Sequence, residues 1–277
     1  MAVVLMNRDA AVGERKRISL HWVRFAPPAA VFVLAVAIWQ IVCMSGHIPT
    51  YLLPSPLEVA GAASANAATL LAASWATFVD AFGGFGLSIV VGVAVAFVMS
   101  QAKWLERSLY PYAILLQTIP VIAIAPLIVI WLGSGNGAIV AISFLIAVFP
   151  IISNANFGLV STDPNLVNLV RMYNRSRFVL AAKVRFPHAL PQIFAGLKIS
   201  AGLSVIGAIV GQFVAGIGGG NGGLGYLITQ TAGNLQMPYL FAAGFASSVL
   251  GLFSFALVGG AASLCIGRWH DSARLPE

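Results

Sequence analysis

The chain has 277 residues, of which 59% are hydrophobic and only 8% charged, and its mean hydropathy is +0.92. Soluble domains carry about 25% charged residues, so this much apolar surface needs lipid as its solvent and the chain reads as an integral membrane protein. The formal net charge of +7 falls in a few basic clusters between long uncharged runs. That pattern orients a protein in a membrane and argues against a nucleic-acid partner.

In chain order, a basic segment over residues 1–26 (Arg8, Arg15, Lys16, Arg17, Arg24) precedes an apolar run from Pro27 to Met44. No small-x-small cleavage site follows, so the run predicts an uncleaved first span at about 27–45 rather than a signal peptide. His47-Ile-Pro-Thr50 and Leu53-Pro-Ser-Pro56 then break the helix. The stretch 59–79 is uncharged but rich in Ala and Ser, which predicts a surface helix between membrane segments; a second span follows at 81–101. From Ser108 to Thr162 the uncharged run is too long for one helix. Gly133-Ser-Gly-Asn-Gly137 divides it into spans at 111–132 and 138–158, with Pro120 and Pro126 as kinks in the first of these. The run from Ile199 to Gly267 divides in the same way at Gly218-Gly-Gly-Asn-Gly-Gly223, giving spans at 197–217 and 240–266. The expected architecture is an all-α, six-span domain over 27–267, with a polar segment at 161–196 between spans four and five and a tail at 268–277.

The distribution of Lys and Arg tests this layout independently. Beyond the five N-terminal ones, Lys103 and Arg107 lie between spans two and three. Arg171, Arg175, Arg177, Lys183, Arg185 and Lys198 lie between four and five, and Arg268 and Arg274 follow six. None is left for the three opposite loops. By the positive-inside rule both termini and the 161–196 segment are expected in the cytoplasm of a bacterial cell, with the spans in its inner membrane. Glu58 and Asp80 are the acidic residues at the outer side or outer span ends.

Within the spans, small residues recur at every fourth position: Gly84, Ser88, Gly92, Ala96 and Ser100 in span two, and Gly196, Ser200, Ser204 and Ala208 in span five. Such stripes let helices approach closely. Gln212 stands one step further along the second stripe. An amide in hydrocarbon needs a partner or a watery path, so Gln212 is either a pathway residue or a helix-to-helix hydrogen bond. The same two readings apply to Gln117, Thr118, Ser153, Asn154 and Asn156. Cys43 and Cys265 lie in apolar runs with no metal-ligand spacing and read as small core residues.

No HExxH, GxSxG or paired-carboxylate set occurs, and His21, His47, His188 and His270 are scattered, so there is no catalytic or metal site. The formal GxGxxG at Gly218, Gly220 and Gly223 has no βαβ setting and reads as a turn. No Gly-Lys pair exists, hence no phosphate-binding loop of the P-loop kind. Any ATP used is bound, with its Mg, by another chain.

In the segment 161–196, Asp163-Pro164 reads as an N-cap followed by proline at the first helical position. The helix so begun stops at Asn174, a residue that tolerates a left-handed turn. Ser176 caps a second short helix to Val184, and Pro187 and Pro191 close the segment. Two short basic helices joined by a sharp turn make a protruding knob, suited either to lipid headgroups or to a docked partner.

These residues resemble the permease subunits of ATP-binding-cassette importers, in the group that includes sulfonate, nitrate, taurine and thiamine-precursor permeases. That family carries a cytoplasmic motif, EAA, three residues, Gly, nine residues, I-x-L-P. Aligned on Pro187, the EAA falls on Asn168-Leu169-Val170, the glycine on Asn174 and the I-x-L on Val184-Arg185-Phe186; the spacing is kept and the letters differ. Further likeness lies in Leu53-Pro-Ser-Pro-Leu-Glu-Val59, Gln117-Thr-Ile-Pro120, Ala125-Pro-Leu127, Trp131-Leu-Gly133, His188-Ala-Leu-Pro191, Ala195-Gly-Leu-Lys198 and Gly223-Leu-Gly-Tyr-Leu227, and spans about residues 30–265.

The resemblance implies a type I importer fold with a coupling helix between spans four and five. It implies a pathway built by two permease copies, most simply a homodimer, and an ATPase pair docked through Asn168, Leu169, Val170, Arg171, Tyr173, Asn174, Arg175 and Arg177. A substrate-binding protein would deliver the solute from outside. Gln117, Thr118, Asn154 and Gln212 are then the expected solute path. With no Lys or Arg in outer loops or span cores to hold an anion, a thiamine-pyrimidine precursor or flavin is favoured over sulfonate or nitrate. The rival reading, an ATP-independent carrier or channel, predicts intramembrane charges or an inverted repeat, and the sequence presents neither.

Overall fold

The structure, a computed structural model, describes residues 20–46, 48–173, 176–215 and 222–266. Among these every regular element is a helix. The chain divides into two compact units, residues 1–57 and 58–277. In the first, α1 (Leu20–Met44) turns Val31, Phe32, Val33 and Leu34 outward, as a helix solvated by lipid does. Its Cys43 thiol reaches the Leu53 and Pro54 carbonyls, each at 3.7 Å.

After α2 (Pro56–Ala65) comes α3 (Ala67–Ser100). The expected surface helix at 59–79 and the expected span at 81–101 are therefore not separate. Nothing between Ala67 and Val79 breaks a helix, and its alanines and leucines favour one, so the chain turns once at Asn66 and then runs unbroken. Asp80 consequently lies well inside a helix and is 6% exposed, not at a span end.

The expected kinked span at 111–132 is two helices, α4 (Lys103–Thr118) and α5 (Val121–Leu132), bent by 94°. Pro120 does this alone. Its ring forces Ile119 into an extended conformation (ψ 124°) and it has no N–H to continue α4. Pro126 stays inside α5. Then follow α6 (Asn136–Val160), α7 (Pro164–Tyr173), α8 (Arg177–Leu180), a π turn (Ala181–Arg185), α9 (Phe186–Ala215), α10 (Leu224–Gly233) and α11 (Met237–Ile266).

Pro187 and Pro191 do not close the segment before span five as expected. They sit in the first turns of α9, and the chain is helical from Arg177 to Ala215. The π turn is the reason: the Phe186 N–H bonds the Ala181 carbonyl five residues back. That wider register carries the chain past proline with little strain. Among the described residues five helices are long and apolar enough to cross a membrane, and the α4–α5 pair makes up to six. The basic tails at 1–26 and 268–277 lie outside the described residues, apart from the start of α1. Cys265 is exposed on α11, not a core residue.

The core of the second unit is α6 held between α3 and α9. Ser143 donates its hydroxyl to the Ser204 carbonyl (2.9 Å) and Ser200 donates to the Ala147 carbonyl (2.6 Å), so α6 and α9 are bonded in both directions. Ser88 on α3 donates to its own Gly84 carbonyl at 2.8 Å with the Phe144 carbonyl of α6 at 3.1 Å. The glycines between these serines set the spacing: a Cβ at Gly207 would stand 2.6 Å from the Ser143 Cα, and one at Gly92 2.9 Å from Ile151. The two small-residue stripes thus meet the same helix side by side, with Ser143 and Ile151 of α6 each facing both of them. Gly207→Ala therefore forces α6 and α9 apart and should cost about 1–3 kcal/mol, seen as a lower melting temperature in detergent. Gly202→Ala, on the same helix with open space beside it, should melt as the parent does.

Candidate functional site

Three places in the second unit gather polar side chains that could serve a function. The first is the knob. Asp163 caps α7, its Oδ1 accepting the Asn165 N–H at 2.8 Å, and Ser176 stands at the start of α8, its hydroxyl accepting the Val179 N–H at 3.5 Å. Both expected caps are present. Val167 is buried under α7, whereas Leu166, Leu169 and Met172 are exposed at three-residue intervals, with Asn168 exposed and Val170 half-buried. The helix thus turns an apolar stripe outward. Asn174 and Arg175 lie outside the described residues, as do the side chains of Arg171, Tyr173 and Arg177.

The second place is a buried knot among α3, α9 and the start of α10. Gln212, 3% exposed, donates its Nε2 to Asp80 Oδ2 (2.8 Å). Its Oε1 accepts the Thr77 hydroxyl (2.9 Å) and the Gly225 N–H (3.2 Å). Thr77 in turn accepts the Leu224 N–H at 2.8 Å. Two of the orphan N–H groups that open any helix are therefore satisfied in α10 by side chains from α3 and α9. Glycine is required around the amide, since a side chain at Gly223 would collide with Gln212 and one at Gly225 with the Ile209 carbonyl. Gln212 sits in a helix-to-helix bond, the second of the two readings its position allows. Asp80 and Thr77, its partners, were not singled out by sequence; the signal was the i, i+3 spacing of two polar residues facing one way.

The third is a cleft of about 490 Å³ between α4 and α6, lined by Glu106, Tyr110, Ser153, Asn154, Asn156 and Phe157 among others. Asn156 donates its Nδ2 to Glu106 Oε1 at 2.9 Å, and the Tyr110 and Ser153 hydroxyls lie 3.3 Å apart. Asn154 donates to the Pro150 carbonyl of its own helix at 2.8 Å. Of the expected path residues only Asn154 lines this cleft. Gln117 and Thr118 are exposed beside the α4–α5 bend, with the Thr118 hydroxyl donating to the Leu115 carbonyl. The four are not brought together. Glu106 and Tyr110 were missed because both fall in the loop expected between the spans at 81–101 and 111–132; α4 begins at Lys103 instead, and their i, i+4 spacing then puts carboxylate and phenol on one face.

A chain with this core, this knob and no grouping of metal-binding side chains among its described residues matches a family model over residues 88–261: the inner membrane component of binding-protein-dependent transport systems. The chain belongs to that family. Similar relatives include a probable ABC transporter permease of Haemophilus influenzae, 34% identical over 80% of this chain and 89% of its own length. The formylaminopyrimidine transport permease ThiX of Halalkalibacterium halodurans is 34% identical over 83% and 91%, respectively. The riboflavin transport permease RibX of Chloroflexus aurantiacus is 33% identical over 91% and 92%. These relatives are transport subunits, and the permease carries the membrane part of an ABC transporter.

The knot yields a prediction for this permease. Gln212→Leu leaves the Asp80 carboxylate and the Gly225 N–H of α10 without their buried partner, which costs about 3 kcal/mol or more. Melting of the purified protein should fall accordingly, and Asp80→Leu combined with Gln212→Leu should recover part of the loss, because removing both partners of a buried pair is cheaper than stranding one.

Proposed function

We propose that the chain is the permease subunit of an ATP-driven importer in the bacterial inner membrane, with both termini in the cytoplasm. Two copies flank the solute path, a pair of ATPase subunits docks on the α7 knobs, and an extracytoplasmic binding protein delivers the solute. ATP and Mg belong to the ATPase. The observation that carries this reading is the knob itself: a capped helix turns Leu166, Leu169 and Met172 outward in a segment that also carries Arg171, Arg175 and Arg177. An apolar stripe flanked by cations fits a groove on a protein better than it fits lipid headgroups alone.

The mechanical path from the knob inward supports it. Helix runs from Arg177 through the π turn into α9, and Arg185 Nη1 donates to the Ser100 carbonyl at 2.8 Å, tying the end of α3 to the same rod. Movement of the knob as the ATPase pair closes would therefore carry α9 and α3 together, exchanging an inward-open for an outward-open path. The solute is a small organic molecule. The relatives that carry formylaminopyrimidine and riboflavin, with the lack of Lys and Arg in the expected outer loops, favour an uncharged nitrogen heterocycle over sulfonate or nitrate.

A mild-detergent pull-down of the tagged permease, with mass spectrometry and an ATPase assay on the eluate, should recover one ATPase subunit per permease. Recovery of the permease alone, stable and inactive, would favour the ATP-independent carrier instead. In the reconstituted importer, Arg175→Glu with Arg177→Glu should abolish solute-stimulated ATP hydrolysis while leaving the permease melting temperature in place. Unchanged coupling would remove these arginines from the contact.

A further inference from the structure

The α4–α6 cleft has a chemistry of its own. Asn156 is 4% exposed, and its Oδ1 is buried without a hydrogen-bond partner. The orientation of that amide is settled by its neighbour, since a carboxylate only accepts and Asn156 must present its Nδ2 to Glu106. The oxygen is left over. A buried acceptor without a donor costs about 1–3 kcal/mol, a cost that persists in folded proteins chiefly where a bound molecule or water relieves it.

The other groups around it lean the same way. Glu106 spends one oxygen on Asn156 and keeps the rest of its acceptor capacity. Asn154 spends its amide nitrogen on Pro150. Among the residues lining the cleft Glu106 is the charged one. The cleft is thus rich in acceptors and carries a negative charge, with the rings of Tyr110 and Phe157 at its walls. Its volume of about 490 Å³ falls in the roughly 300–1,000 Å³ range of small-molecule sites.

We propose that this cleft binds a planar nitrogen heterocycle bearing an amino group, whose N–H donors bridge Glu106 and the Asn156 oxygen while Tyr110 and Phe157 cover its ring faces. The assignment rests on the importer reading, in which the cleft is a station on the solute path. It excludes nitrate and sulfonate from this site, because the Glu106 carboxylate repels an anion and none of the described residues lining the cleft is a cation to offset it. Glu106, Tyr110, Asn156 and Phe157 are binding residues in this account, and Asn154 is the one expected path residue that it keeps.

The test uses the full-length permease in lipid nanodiscs and saturation-transfer NMR, with 4-amino-2-methylpyrimidine as probe, 2,4-dimethylpyrimidine as the same shape without the donor, and nitrate as competitor. The amino compound should bind saturably and the dimethyl compound at least tenfold more weakly, with nitrate failing to compete. Glu106→Gln should weaken the amino compound about tenfold. Phe157→Ala should weaken it as well; this ring is 62% exposed, so its removal leaves the core folded and guards against a misfolded Glu106 variant.

Absence of saturable binding, equal binding of both pyrimidines, or binding unchanged by both substitutions would overturn the site. The pull-down separates the two claims. An ATPase that co-purifies with a permease lacking this binding would leave the importer standing and the site refuted; binding that depends on Glu106 with no ATPase recovered would support the site and refute the importer.

Discussion

Everything in the second unit depends on how closely α3 and α9 approach α6. In lipid no hydrophobic force draws helices together, because acyl chains solvate leucine as well as another leucine does. What remains is contact of backbone against backbone, and the chain secures it by leaving side chains out. Gly84, Gly92, Gly196, Gly207 and Gly211 each face an atom of α6 that a Cβ would touch or displace. Once the backbones are that close, a serine hydroxyl reaches the carbonyl of the next helix, as Ser143 and Ser200 do. Each such bond contributes only about 0.6 kcal/mol. Their value lies in register, since a serine one step out of place would meet a methyl group instead of a carbonyl.

The buried knot is possible only because of that packing. Asp80 and Gln212 come from α3 and α9, which share α6 as their common support, and a gap between them would admit water to a carboxylate now 6% exposed. The knot in turn fixes the start of α10, whose first N–H groups find Thr77 and Gln212 rather than solvent. A short helix of ten residues has little stability of its own, so α10 is positioned by side chains from the two long helices on which it lies. Polar groups here determine placement, while the small residues determine whether the helices meet at all.

Much of this was legible in the sequence, and the reason differs from place to place. The four-residue stripes are a local, periodic signal, and they lie against α6 as packing surfaces. The caps at Asp163 and Ser176 are local too. Pro120 was visible as an interruption, but whether a proline kinks a helix or ends it depends on the neighbouring turn, and here Ile119 goes extended. Pro187 and Pro191 invited the opposite error. Both lie inside the continuous helix, where the π turn's wider register accommodates them, and that turn has no signature in residue type. The partner of Gln212 was out of reach for another reason: Asp80 is 132 positions away, and composition alone placed it at the edge of a span. Glu106 was hidden by its neighbours, because Lys103 and Arg107 mark the segment as basic and draw attention from the carboxylate between them.

The unbroken helix from Arg177 to Ala215 has a consequence for how force and solute meet. A proline that ended the helix at 187, as the sequence suggested, would have left a flexible joint between the knob and the core. The π turn removes that joint, and Arg185 within it is bonded to the last turn of α3. The rod from Arg177 to Ala215 is thereby tied to the end of α3, and both α9 and α3 pack on α6. The α4–α6 cleft adjoins that packed face of the shared helix: Asn154 lines the cleft and also stands against Gly196 of α9, and Asn156 and Phe157 stand next to Gly158, the glycine against which α9 packs at Ala189 and Gln192. Neighbouring residues of one turn thus face the moving rod and the cleft. In the importer proposed above, a shift of the rod that rotated this turn by even part of a residue would change the acceptors presented in the cleft, a route by which movement at the knob would reach the proposed site.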